Sequence, residues 1–134
     1  MPQLADDARE FLAEPGRYGT LATIEPDGSP LQAVVWYELE EGGTILLNSL
    51  EGRRWPTNLL RDPRASFTVE DGYDYVSMRG TTEPLHGGEA ASRDIERLAR
   101  RYSTGEALER RLAGFRGQRR ISFRFHPRSV FRHY

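Results

Sequence analysis

The feature that most constrains this chain is its punctuation: short runs of alternating apolar and polar residues, each cut off by strong turn chemistry. Residues 18–25 (YGTLATIE) alternate as a half-buried strand does, Pro26, Asp27, Gly28 and Ser29 form a turn, and residues 31–40 (LQAVVWYELE) read as the returning strand. Glu41, Gly42 and Gly43 turn the chain again into residues 44–49, so three consecutive strands make an antiparallel meander.

The rest of the chain keeps this grammar and adds helices. Residues 6–13 form an opening amphipathic helix, with Ala8, Phe11 and Leu12 on one face and Pro15-Gly16 stopping it. Residues 65–70 (ASFTVE) and 73–85 pair around Asp71-Gly72. Gly80 inside the longer run predicts a bulge or sharp bend of the kind a barrel needs at its corners, so the sheet is expected to close. Residues 89–102 and 106–115 read as helices, the first placing Ile95, Leu98 and Tyr102 at helical spacing. Residues 120–125 (RISFRF) alternate with Ile121, Phe123 and Phe125 inward, and residues 129–134 give one more strand. About seven strands with small peripheral helices predict a mostly β (α+β) fold, a partly open or split antiparallel barrel.

Length and composition narrow the chemistry. With 134 residues there is room for one domain around one core. The absence of cysteine excludes disulfides and thiolate metal sites, and three scattered histidines lack zinc-ligand spacing, so no metal site is expected. An acidic start without an apolar run, and no segment near the roughly 20 apolar residues of a membrane span, predict a cytoplasmic protein without a membrane partner. All 19 basic residues are arginine. Residues 1–92 hold seven of them against sixteen acids, and residues 93–134 hold twelve against four. Such asymmetry marks either a polyanion surface or two faces that meet within a fold or across a dimer. The late phenylalanines fall at core positions rather than between exposed arginines, which argues against nucleic-acid binding.

The segment 45–64 (ILLNSLEGRRWPTNLLRDPR) carries the chemical signal. A buried-looking strand with Ile45, Leu46 and Leu47 runs through Gly52 into a short helix with Pro56 as its expected first residue. Arg53 and Arg54 therefore fall near a helix N-terminus, where unpaired N–H groups and the dipole favour an anion. An Arg-Arg pair in a loop is more often a solvated surface feature, so composition alone leaves phosphate binding the minority reading. Asn58 and Asp62-Pro63-Arg64 read as fixing the short helix rather than touching a ligand.

Three motifs in this order resemble the split-barrel flavoproteins related to pyridoxamine 5′-phosphate oxidase, especially their F420-dependent (deazaflavin) branch. Residues 19–39 look like the opening hairpin, residues 48–67 like the phosphate loop and following helix, and residues 70–83 like the hairpin that lines the partner subunit's cofactor. The resemblance implies an FMN-binding split barrel, an obligate homodimer, and two cofactors at the subunit interface. It places Asn48 and Ser49 near the ribityl chain and phosphate, and makes Arg53 the phosphate arginine. Where the family usually has a lysine two positions further on, this chain has Trp55, and Arg54 is the expected substitute cation. Gln32, Val34 and Trp36, at alternate positions, share the strand face that passes beside the ring. Tyr73 and Tyr75 would reach the other subunit's cofactor. Trp36 is equally a core or interface aromatic, Tyr73 and Tyr75 are equally ordinary strand residues, and Tyr37 reads as core.

What the resemblance implies for function is an oxidoreductase passing a hydride between F420 and an unsaturated small organic substrate, with the cofactor rather than a side chain doing the chemistry. No residue is assigned as catalytic, and none of the three histidines is. Two alternatives stand beside it: an FMN-binding oxidoreductase of the same fold, and a non-enzymatic split barrel holding flavin or haem.

Overall fold

The computed structural model describes residues 4–133. In chain order the elements are α1 (Asp6–Ala13), β1 (Gly19–Ile24), β2 (Pro30–Val35), β3 (Glu38–Leu39), β4 (Ile45–Leu50), α2 (Arg54–Arg61), β5 (Arg64–Asp71), β6 (Asp74–Gly87), α3 (Gly88–Ala99), α4 (Gly105–Phe115) and β7 (Arg120–His133). All strand pairs are antiparallel, in one sheet of order β2-β1-β5-β6-β7-β4-β3.

The first hairpin follows from its turn. The Glu25 N–H donates to the Ser29 carbonyl (2.8 Å), Asp27 Oδ1 accepts from both the backbone N–H and the hydroxyl of Ser29, and Gly28 sits at φ 88°. The register Gly19↔Val35 through Ile24↔Pro30 then puts Leu21 and Thr23 inside, and a one-residue slip would turn them out.

The expected closure does not occur. β2 and β3 are the two edges of the sheet, and no ladder joins them. The expected strand 31–40 is interrupted at Trp36-Tyr37, where the chain passes from one edge to the other. This leaves a curled, split barrel whose edges converge on that dipeptide. Gly80 does mark the irregularity anticipated there: a Cβ on it would lie 2.0 Å from the His126 carbonyl oxygen, and the β6–β7 register shifts at Arg79/Gly80. Opposite it, Pro127 is carried within β7, so residues 120–133 form one strand rather than two; Tyr134, the last residue of the expected final strand, lies outside the described residues. The helix expected to open at Pro56 opens at Arg54. Proline is tolerated at its third position because the first N–H groups of a helix have no intrahelical acceptor.

The inner face of the sheet and two helices make the main core. Leu21, Ile45, Leu47, Phe67, Val69, Val76, Met78, Phe123 and Phe125 pack against Phe11 and Leu12 of α1 and Trp55 and Leu59 of α2. Tyr37 is fully buried there, and its hydroxyl donates to the Leu12 carbonyl (2.6 Å). A second, smaller core forms on the other face of β4 and β7, where Ile95 and Leu98 of α3 cover Leu46, with Trp36, Leu85 and Phe115 around them. Sheet residues near the end of β4 are therefore buried on both faces. Among the described residues no helix is long and apolar enough to cross a membrane.

Candidate functional site

At the split, the end of β4 approaches the corner between β2 and β3 and leaves a cavity of about 220 Å³. Val34, Val35 and Trp36 line it from the corner, Asn48 and Ser49 from β4, Arg53 and Trp55 from the start of α2, Ile95 and Phe115 from α3 and α4, and Arg120 from the start of β7.

The polar groups here are unevenly satisfied. Ser49 is 2% exposed, and its Oγ is buried without a hydrogen-bond partner. Arg120 is 8% exposed. Its Nη1 donates to Asn48 Oδ1 (3.1 Å), its Nε donates to Gln118 Oε1 (3.0 Å), and its guanidinium lies 4.8 Å from the centre of the Phe115 ring. Among the described residues no carboxylate forms an ion pair with it. Burial, and after it the charge on Arg53, pull its pKa down to about 10, so the group is still a cation at neutral pH. Arg53 is exposed and occupies the N-cap position of α2, and among the described residues it too forms no ion pair with a carboxylate. No side chain caps that helix, so its first N–H groups add to the positive potential. A buried cation, a second cation and an orphaned hydroxyl around one cavity are the chemistry of an anion site.

Of the residues singled out in the sequence, Val34, Trp36, Asn48, Ser49, Arg53 and Trp55 line this cavity, and four do not. Gln32 is exposed on β2 outside it. Arg54 points to the other side of the loop and pairs with Glu25 (2.7 Å), so its charge is already answered. The cations that line the cavity are Arg53 and Arg120. Tyr73 and Tyr75 lie at the β5–β6 hairpin with His133, Tyr75 stacking on that imidazole at 5.1 Å. Trp36 serves packing and cavity together: Tyr102 stacks on it (5.2 Å), Phe115 meets it edge-on (6.5 Å), and the Arg111 guanidinium lies 5.0 Å over it. Trp55 is 7% exposed and packs on Phe123, which makes it a wall of the cavity and part of the main core.

Val35, Ile95, Phe115 and Arg120 are the lining residues that sequence reasoning missed. One signal was present. With Ile121, Phe123 and Phe125 inward, Arg120, Ser122 and Arg124 share the opposite face, and a helix lying over that face buries Arg120 and Ser122 and half-buries Arg124.

The pattern that defines the pyridoxamine 5′-phosphate oxidase family matches residues 4–133. The chain belongs to that family. Among solved structures, this pyridoxamine 5′-phosphate oxidase family member is similar to the conserved hypothetical protein Rv2991 from Mycobacterium tuberculosis, at 28% identity and a TM-score of 0.75 over 97% of this chain and 88% of that one. It is similar in fold to an F420 reductase (23% identity, TM-score 0.70, 91% of this chain and 94% of that one). It is equally similar to the haem storage protein HutZ from Vibrio cholerae (19% identity, TM-score 0.70, 98% and 95%). The family fold thus hosts both redox enzymes and ligand carriers, and the residues of the cavity must distinguish them. No curated protein matches the chain.

Proposed function

We propose that the cavity takes the phosphate-bearing part of a deazaflavin or flavin cofactor, F420 before FMN, and that the protein is an oxidoreductase acting on an unsaturated small organic substrate. The observation that carries this reading is Arg120, a cation held out of water with no carboxylate among the described residues to answer it, lining one cavity with Arg53 and the Ser49 hydroxyl, which has no partner among those residues. These residues fit the phosphate of either cofactor, a diester in F420 and a monoester in FMN: two guanidinium groups supply charge-assisted donors, the uncapped start of α2 supplies backbone N–H groups, and Ser49 Oγ supplies one more hydrogen bond.

The bound cofactor would supply the hydride chemistry. The chain's own share is binding, orientation and exclusion of water. Trp36, fixed by Tyr102, Phe115 and Arg111, gives a stiff apolar wall next to Val34 and Val35. None of the lining side chains is a histidine or a carboxylate, so the residues present bind and shield rather than act as a general base. A second copy of the chain completes this reading. Val34 is 73% exposed beside the cavity, and Tyr73 (84%) and Phe131 (57%) form an exposed aromatic strip at the far hairpin, which suits a homodimer in which Tyr73 and Tyr75 reach the other subunit's cofactor.

Anaerobic titration of the purified protein with F420 and with FMN, followed by cofactor fluorescence, tests the proposal. Tighter binding of F420, with weakened binding in Arg53→Ala, is expected. Clearly tighter binding of FMN would replace F420 with FMN, and binding of neither would overturn the cofactor reading.

A further inference from the structure

Behind the cavity a chain of buried hydrogen bonds leads from Arg120 to α3. Arg120 Nη1 donates to Asn48 Oδ1 (3.1 Å). Asn48 Nδ2 donates to the Ala91 carbonyl (2.8 Å) and to Ser122 Oγ (3.0 Å). Ser122 Oγ donates to Asp94 Oδ2 (2.7 Å), and His86 Nε2 meets that same oxygen at 2.6 Å from the outer side. Asn48 is 8% exposed, Asp94 9% and Ser122 fully buried.

The chain has one direction. A serine hydroxyl has a single hydrogen, and giving it to Asp94 obliges Ser122 to accept from Asn48. Both amide hydrogens of Asn48 are then committed, to Ala91 and Ser122, and only its oxygen is left to face Arg120. From Arg120 through Asn48 and Ser122, one donor at each step points towards Asp94, and the second Asn48 hydrogen goes to the Ala91 carbonyl. We infer that Asn48, Ser122 and Asp94 form a positioning network that fixes the Arg120 guanidinium in the cavity before any ligand arrives. Asn48 is thus a positioning residue rather than a ligand contact, and Ser49, its neighbour with a free hydroxyl, is the ligand contact of the pair. Without the terminal acceptor, nothing holds the Ser122 hydroxyl hydrogen away from Asn48, the amide is less firmly held by its second acceptor, and the oxygen that orders Arg120 loses its fixed place. Arg120 is long and rotamer-rich, and ordering it in advance removes an entropic cost from binding.

This inference rests on the anion reading of the cavity, and one experiment separates the two. Inorganic phosphate is titrated into ¹⁵N-labelled protein and followed by NMR for wild type, Arg120→Gln, Ser122→Ala and the double variant, with a melting curve for each. Ser122→Ala is expected to weaken phosphate binding about three- to tenfold, and to have no further effect once Arg120 is glutamine, because coupled residues are non-additive. Asp94→Leu is the second variant. As a mere nearby negative charge, Asp94 would oppose an anion and its removal would tighten binding, whereas positioning requires removal to weaken it. Unchanged affinity in Arg120→Gln overturns the anion reading itself. A loss there combined with unchanged affinity in Ser122→Ala, additive losses in the double variant, or tighter binding in Asp94→Leu overturns the positioning network alone.

Discussion

Arg120 and Arg124 lie four residues apart on β7, on the same face of the strand, opposite Leu50 and Leu46 of β4, yet their charges are treated in opposite ways. Arg124 is answered: its Nε and Nη2 fork onto the two oxygens of Glu40 (2.8 and 2.9 Å), with Glu83 at 3.7 Å, and the hydrogen bond to Glu40 raises its pKa. Arg120 meets only neutral acceptors, Asn48 and Gln118, and burial lowers its pKa. A cation that serves only the fold is expected to be paired as the half-buried Arg124 is, because an uncompensated buried one is costly. Leaving Arg120 unanswered at the rim of a cavity, facing another arginine, makes sense when the counter-charge arrives with a ligand.

Exchanging the two arginines for neutral residues should break the comparison most visibly. Arg120→Gln is expected to weaken cofactor binding by about 10- to 100-fold, since charge-assisted contacts of this kind are worth about 1.5–3 kcal/mol, while its melting temperature stays level or rises. Arg124→Ala should do the reverse. It leaves Glu40 without its partner and should lower stability by about 1.5–3 kcal/mol in denaturant melts, with cofactor affinity unchanged. Equal effects of the two variants on affinity would erase the distinction.

A pH series sharpens the same contrast. Hydrogen bonding to Arg124 lowers the pKa of Glu40 below its usual value of 4.5 in the folded protein. A depressed carboxylate contributes stability above its unfolded pKa and loses it as the pH falls through the folded one. The stability gap between wild type and Arg124→Ala should therefore hold at pH 7 and close as the pH drops below 4.5. Arg120 should report at the opposite end. Its phosphate affinity should hold through neutral pH and decline as the pH rises through about 10, and the decline should be absent in Arg120→Gln. The smallest effect is expected at Ser49→Ala, about a threefold loss of cofactor affinity with no loss of stability, because the hydroxyl has no partner within the chain.

Much of the scaffold was legible before the structure. The turns at Asp27-Gly28 and Asp71-Gly72, the alternating strands and the special role of Gly80 all follow from local rules that act within a few residues. Closure of the sheet was not legible, because it depends on whether β2 and β3 meet across a gap that no local pattern encodes. The strand 120–125 shows the limit for the site. Its alternation assigns one face to the core, and the other face reads as solvent until α3 is laid over it, which buries Arg120 and Ser122 and leaves Arg124 half-buried. Arg53 and Arg54 illustrate the converse. Adjacent in sequence and equally basic, they diverge in space, and Glu25, distant in sequence, takes Arg54 out of the cavity.

The central claim is that Arg120 reads a phosphate. The most direct test compares the affinity of F420 with that of the same deazaflavin lacking its phosphate and tail, in wild type and in Arg120→Gln. The account predicts a preference for the phosphate-bearing form of about tenfold or more in wild type, reduced severalfold in the variant with Arg53 supplying the remainder. A preference of the same size in both proteins would contradict it.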